Sequence, residues 1–173
     1  MPETLAANAP FPTLVLNRVG GGTLTVGAAK DKWTLFVVYR GKHCGRCKNY
    51  LSKLEELKSR WEDAGFDIVV ASADVEAKAQ ADLDEFGWTF DICHSLSLLQ
   101  MRALGVFVST PLSPEEADAP FAEPGVFCIT PEGKTQIVAI SNGPAARPDL
   151  AELLDGMIFT IKNDRPARGD VSL

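Results

Sequence analysis

Apolar positions along the chain fall into short β-type runs separated by longer helical stripes. Thr13 to Arg18 and Thr23 to Val26 flank Gly20-Gly21-Gly22, the pattern of a small hairpin with a glycine tip. Trp33 to Tyr39 is apolar almost throughout and predicts a central strand covered on both faces. Asn49 to Gly65 predicts an amphipathic helix. Cys47, Leu51, Leu54, Leu57 and Trp61 make its apolar stripe, while Lys53, Glu55, Glu56, Lys58 and Arg60 fall on the other side. Asp67 to Ala73 predicts a second buried strand, and Asp74 is placed to cap a helix from Val75 to Phe86 that Gly87 ends. Thr89 to Cys93 predicts a short strand and Ser95 to Leu104 a short helix. Val126 to Thr130 and Thr135 to Ser141 predict a hairpin around Pro131-Glu132-Gly133-Lys134, followed by a last helix from Asp149 to Ile161. This order predicts an α/β fold with one mixed central sheet flanked by helices on both faces.

Three segments lie outside that pattern. Residues 1–12, rich in Ala and Pro, read as an extended lead-in, and residues 162–173 as a polar tail, around a single domain spanning 1–173. Ser109 to Gly125 carries Pro111, Pro114, Pro120 and Pro124 with Glu115, Glu116, Asp118 and Glu123 and no basic residue. It reads as a long surface loop, either a solvated insertion or a functional one.

Composition narrows the setting. A chain of 173 residues with 46% apolar content can fill one sizeable core. The net charge of −6 argues against nucleic-acid binding, which needs a basic face. No apolar run reaches the roughly 18–20 residues of a membrane span. Met1-Pro-Glu-Thr lacks the basic start and apolar core of a signal peptide. These features point to a cytoplasm and to no membrane partner. The four cysteines are too few for a disulfide-stapled scaffold, and a cytoplasmic C-x-x-C is more often catalytic or metal-binding than structural.

That motif is the chemical focus. Arg40-Gly41-Lys42-His43-Cys44-Gly45-Arg46-Cys47-Lys48 joins the apolar strand to the amphipathic helix, where Cys44 and Cys47 can sit side by side. Free N–H groups of a first helical turn favour a thiolate. So do Arg40, Lys42, Arg46 and Lys48, with no acid among them. Cys44, before the first full turn, is the more exposed candidate; Cys47 lies on the buried stripe. His43 is either a support for the thiolate or a solvent-facing turn residue. Arg40 is either a partner of the thiolate or a surface charge. A zinc half-site needs two more ligands, and the only other candidate pair is Cys93-His94, whose neighbouring side chains point to opposite faces of a strand. Cys128 reads as core packing, and Cys93 as structural or as a distant resolving thiol.

The whole order, with a C-x-x-C ending the first core strand, resembles the thioredoxin fold, and Cys44-Gly45-Arg46-Cys47-Lys48 is similar to the thioredoxin Cys-Gly-Pro-Cys-Lys. The larger pattern resembles the alkyl hydroperoxide reductase/thiol-specific antioxidant (peroxiredoxin) superfamily over roughly residues 11–161. The residues that carry it are Phe36-Val37-Val38-Tyr39, Ala71-Ser72-Ala73-Asp74, Ala103-Leu104-Gly105-Val106 and Phe127-Cys128-Ile129-Thr130-Pro131-Glu132-Gly133-Lys134. Against the peroxiredoxin Pro-x-x-x-(Thr/Ser)-x-x-Cys, Arg40 stands at the proline and Cys44 at the threonine. Glu123 or Pro124 stands at the activating arginine, while Arg147 resembles a second arginine of many peroxiredoxins. By resemblance to thioredoxin-fold proteins, Glu123-Pro124 takes the place of a cis-proline that faces the dithiol and offers backbone to a substrate.

The resemblance implies a thiol oxidoreductase that needs no cofactor and cycles Cys44 and Cys47 between dithiol and disulfide. In the thioredoxin-like scheme Cys44 attacks and Cys47 resolves; in the peroxiredoxin-like scheme Cys47 forms a sulfenic acid and Cys44 closes the disulfide. Three functions stay open: a peroxiredoxin-like enzyme reducing peroxides or oxidised thiols, a disulfide reductase without peroxidase activity, and a non-enzymatic binding module using the acidic loop. The implied partners are a peroxide or disulfide substrate and a thiol reductant such as a thioredoxin or glutathione system. A homodimer is one assembly that the family resemblance allows.

Overall fold

A computed structural model describes residues 4–171, so the first three residues of the lead-in and the last two of the tail lie outside the described residues. The elements in chain order are β1 (Leu14–Arg18), β2 (Thr23–Val26), β3 (Trp33–Val38), α1 (Gly45–Asp63), β4 (Phe66–Ala71) and α2 (Glu76–Phe86). There follow β5 (Asp91–His94), α3 (Leu98–Leu104), β6 (Val108–Ser109), β7 (Phe121–Ala122), β8 (Gly125–Ile129), β9 (Thr135–Ile140) and α4 (Leu150–Lys162). Seven strands form one mixed sheet in the order β2-β1-β5-β4-β3-β8-β9. β3, β4 and β5 run parallel, and β8 joins β3 antiparallel.

The alternation of side chains along a strand divides the core into two layers. On one face Leu35, Val37 and Tyr39 pack with Val126 and Cys128 against Leu51, Leu54 and Trp61 of α1 and Leu154 and Met157 of α4. On the other, Phe36 and Val38 pack with Phe127 and Ile129 against Met101 and Leu104 of α3 and against the β1–β2 hairpin. Burying a side chain the size of Leu54 contributes about 1.5–3 kcal/mol. β3 is an interior strand held between β4 and β8, so its C-terminal end is a rigid place from which to launch an active-site turn.

Three expectations change here. Asp74 does not cap α2: Val75 is the N-cap and makes no side-chain cap bond. The Asp74 carboxylate instead accepts the Lys42 N–H at 2.7 Å. The 109–125 segment is not wholly a solvated insertion: its ends pair as the β6–β7 ladder and Glu116 and Glu123 reach inward, while Glu115 and Asp118 stay exposed. The described part of the lead-in is docked, with Asn8 N–H donating to the Thr135 carbonyl at 2.8 Å and Phe11 N–H to that of Gly133 at 2.8 Å.

Candidate active site

Beyond β3 the chain turns sharply at Gly41. Its φ is +133°, and a Cβ there would stand 2.7 Å from the Asp74 carboxylate, so any side chain would collide with the group that holds Lys42. The turn closes when Cys44 N–H donates to the Gly41 carbonyl at 3.1 Å. Cys44 is then the N-cap of α1, which starts earlier than the apolar stripe alone predicts. Its sulfur does the work usually left to a Ser or Asp oxygen, accepting the backbone N–H of Cys47 at 3.3 Å.

This placement separates the two sulfurs chemically. The Cys47 thiol donates to Cys44, the Cys47 backbone N–H does the same, and Arg40 adds a hydrogen bond and its charge. Together they outweigh burial and hold Cys44 well below the ordinary thiol range. Cys47 is pushed upward, first by its role as donor to Cys44 and then by its burial. The two thiols titrate as one coupled pair, and the N-cap geometry favours the negative charge on Cys44. Cys44 is the less buried of the two sulfurs, as its position before the helix predicts, but it is not open to solvent. It is 3% exposed and Cys47 is 0% exposed, because capping tucks the Cys44 sulfur under the helix and into the core layer of Tyr39 and Leu51.

The four cations of the turn do not all act on the sulfurs. Arg40 lies with Nε 3.1 Å from Glu123 Oε2, a charge contact outside hydrogen-bond alignment, and Nη2 3.6 Å from Glu116 Oε1. Its guanidinium stands 5.0 Å from the centre of the Phe121 ring. Glu123 is buried, and its other oxygen accepts the Ser109 hydroxyl at 2.6 Å. Lys42 and Lys48 each bring an ammonium to 3.7 Å from Asp82 on α2. Burial raises the Asp82 carboxyl while Lys48 and Lys42 oppose that shift, and neither oxygen accepts an aligned hydrogen bond. Arg46 alone is exposed, with no carboxylate partner among the described residues. The positive setting read from the turn is thus mostly cancelled by acids distant in sequence, and Arg40 is the cation that reaches Cys44.

His43 is half-buried, with its ring 4.6 Å from that of Phe121 and its Nε2 without a partner, so it is not a solvent-facing turn residue. Pro124 corrects an expectation. No cis peptide bond occurs among the described residues, so Glu123–Pro124 is trans, and the Pro124 carbonyl accepts the Ser141 N–H at 3.1 Å. Two residues between β7 and β8 keep the chain extended there, and the trans bond is the ordinary state in such a path.

Arg147 comes from the loop before α4. Its guanidinium lies 4.4 Å from the centre of the Tyr50 ring, the Tyr50 hydroxyl donates to the Pro148 carbonyl at 2.7 Å, and the Arg147 charge favours ionised Cys47 against the larger opposing effects. A cleft of about 590 Å³ opens beside this pair, between α1 and the 144–151 loop.

Cys93 packs in the opposite core layer from Cys44 and Cys47, and burial pushes its thiol up to about 12. The central sheet between those layers keeps it from resolving the dithiol. Cys128 is buried in β8 as packing. His94 meets Ser95 and Glu76, and no group of three His, Cys, Asp or Glu side chains converges among the described residues. Sequence reasoning did not single out Asp82, Phe121 or Tyr50. Asp82 carried a usable signal, since it falls three residues after buried Ala79 on one helix face and puts a carboxylate on an apolar stripe.

The comparisons with known proteins agree with this fold. A peroxiredoxin-like protein from Aquifex aeolicus superposes with a TM-score of 0.75 at 21% identity, covering 90% of this chain and 87% of its own. AhpC of Mycobacterium tuberculosis gives a TM-score of 0.75 at 18% identity over 94% and 96% of the two chains. A reduced 2-Cys peroxiredoxin of Plasmodium vivax gives 0.72 at 13% identity over 91% and 82%. These likenesses establish the thioredoxin-like fold. No curated protein sequence matches. The family model described as AhpC/TSA matches residues 7–138, from the docked lead-in through most of β9. The chain therefore belongs to the AhpC/TSA family, and is a thiol oxidoreductase of the peroxiredoxin-like type.

Proposed function

We propose that the protein cycles Cys44 and Cys47 between dithiol and disulfide, with Cys44 as the attacking thiolate and Cys47 as the resolving thiol. The observation that carries this assignment is the N-cap geometry, in which Cys44 Sγ accepts from Cys47 N–H at 3.3 Å beside Arg40. It inverts the order expected of the peroxiredoxin scheme, in which the residue aligned with Cys47 attacks.

With a peroxide as oxidant, the Cys44 thiolate attacks one oxygen, the O–O bond breaks, and the leaving oxygen departs as water or alcohol after taking a proton. Cys44 is then a sulfenic acid. The Cys47 sulfur attacks Cys44, forming the S–S bond while its proton and the sulfenic hydroxyl leave as water. An oxidised small thiol enters the same cycle by forming a mixed disulfide with Cys44, which Cys47 releases. Arg40 favours the Cys44 thiolate, Glu123 and Phe121 hold Arg40, His43 packs against Phe121 beside the turn, and Pro124 follows Glu123 into β8. Electrons return from a thiol reductant, which suits a reducing compartment such as the cytoplasm. No helix among the described residues is long and apolar enough to cross a membrane.

Stopped-flow oxidation of reduced protein, with wild type, Cys44→Ser and Cys47→Ser, tests the assignment. Cys44→Ser should lose the fast phase, while Cys47→Ser should keep it and accumulate a sulfenic acid that dimedone traps. Dimedone labelling of Cys47 in Cys44→Ser at the wild-type oxidation rate would reverse the roles.

A further inference from the structure

The cleft beside Arg147 carries a charge pattern that the redox cycle does not use. Around the dithiol, Arg40 is balanced by Glu123 and Glu116, and Lys42 and Lys48 by Asp82. The cations lining the cleft are Arg46, Lys53 and Arg147, and none has a carboxylate within ion-pair distance among the described residues. Arg46, Asn49, Tyr50 and Lys53 share one face of α1 at helical spacing, and Arg147 faces them from the loop before α4. One buried nitrogen of Arg147, Nη1, has no acceptor. Asp149 and Glu56 also line the cleft, but the Asp149 carboxylate is engaged by the Ala151 and Glu152 N–H groups at 3.0 and 2.9 Å. The lining thus holds three cations against two carboxylates, and in a chain of net charge −6 that local positive excess favours an anionic ligand. A volume of about 590 Å³ exceeds what a peroxide alone would need and suits a small organic molecule.

We propose that this cleft binds the carboxylates of a small anionic thiol, the reductant that returns the Cys44–Cys47 disulfide to the dithiol. The proposal deepens the reading above and rests on the Cys44–Cys47 couple. Neither cysteine lines the cleft, but Arg46 lies two residues past Cys44, Tyr50 three past Cys47, and Arg147 acts on Cys47 through its charge, so a molecule anchored there by its carboxylates sits beside the disulfide. Its thiolate attacks Cys44, an S–S bond forms between them, and the Cys44–Cys47 bond breaks with its electron pair on Cys47. Arg147 favours that departing thiolate, which then takes a proton. A second molecule attacks the sulfur of the first, giving the small symmetric disulfide and releasing Cys44 as a thiolate. The sum is one protein disulfide and two thiols converted to one protein dithiol and one small disulfide.

The test uses the full-length oxidised protein, with glutathione as the anionic probe and 2-mercaptoethanol as the neutral one, reduction being followed by rapid quench and mass. In the double variant Arg46→Glu, Lys53→Glu, the glutathione rate should fall about tenfold or more and lose its dependence on added salt. The 2-mercaptoethanol rate should move less than about twofold, since it tracks thiolate exchange alone. Arg46→Ser, Lys53→Ser should give a smaller loss of the same kind and guards against misfolding of the charge-reversed chain. Equal changes with both thiols, or no change with glutathione, would overturn the anionic cleft while leaving the redox couple intact. Failure to find a Cys44–Cys47 disulfide after mild oxidation would overturn the couple itself, and the proposal with it.

Discussion

On one flank of the dithiol, Arg40 is held between Glu123, Glu116 and Phe121, with 18% of its side chain exposed. On the other, Arg147 lies over Tyr50 beside an open cleft and meets no carboxylate among the described residues. Both are arginines placed near a sulfur, yet their surroundings give them different uses. Arg40 is fixed by partners that remain whatever binds, so its field at Cys44 is preorganised and costs little reorganisation during reaction. Arg147 has no carboxylate partner among the described residues, so its charge is left to act on Cys47 and on the cleft that it lines. A charge paired in advance tunes a neighbour; a charge left unpaired recruits one.

The comparison breaks most visibly at Arg40. Arg40→Leu removes the guanidinium from Cys44 and leaves Glu123 buried with only Ser109, so stability should fall by about 3 kcal/mol. The alkylation profile of Cys44 should also move up in pH, toward the roughly 8.5 of a free cysteine. Urea denaturation and the pH dependence of iodoacetamide labelling read the two effects, and an unchanged labelling profile would remove Arg40 from the site.

Asp82→Asn should act in the opposite direction and with intermediate size. Burial holds the folded-state Asp82 carboxyl above its unfolded range, against Lys48 and Lys42. Its contribution to stability is therefore full below the ordinary carboxylate pKa and is lost as pH rises through the folded value. Asparagine escapes that loss, so the variant should be more stable than wild type at pH 7, with the gain shrinking as the solution is acidified. Thermal melts across that range check it, and a gain that grows on acidification would contradict the sign.

The smallest effect belongs to the open flank. Tyr50→Phe deletes the hydroxyl that donates to Pro148 at 2.7 Å and should cost about 1 kcal/mol. Because that bond ties the Arg147 loop to α1, hydrogen exchange should quicken in residues 144–149 and leave the β3–β8 ladder untouched. Equal protection in both would mean that Tyr50 does not hold the loop.

Much of this molecule is legible from local pattern. The apolar run of β3, the Leu51–Leu54–Trp61 stripe of α1 and the final hairpin and helix follow from periodicity, because a side chain's face is set within a few residues. Cys44 and Cys47 were legible for the same reason, since neighbours three apart at a strand-to-helix turn must meet wherever the turn lies. The pairing of charges was not. Glu123 comes 83 positions after Arg40, and Asp82 comes 40 after Lys42 and 34 after Lys48; nothing local marks one acid in a Pro-rich stretch as buried and another as solvated.

By itself, then, the sequence determined the main elements, their order and the position of the dithiol, all of which depend on short-range geometry, but not the β6–β7 ladder. Only the tertiary structure shows which sulfur caps the helix beside Arg40, which cations are spent on internal carboxylates and which are left facing a cleft. Those outcomes depend on distances across the sheet and on burial, and electrostatic energy in a protein follows separation in space and access to water, not separation along the chain.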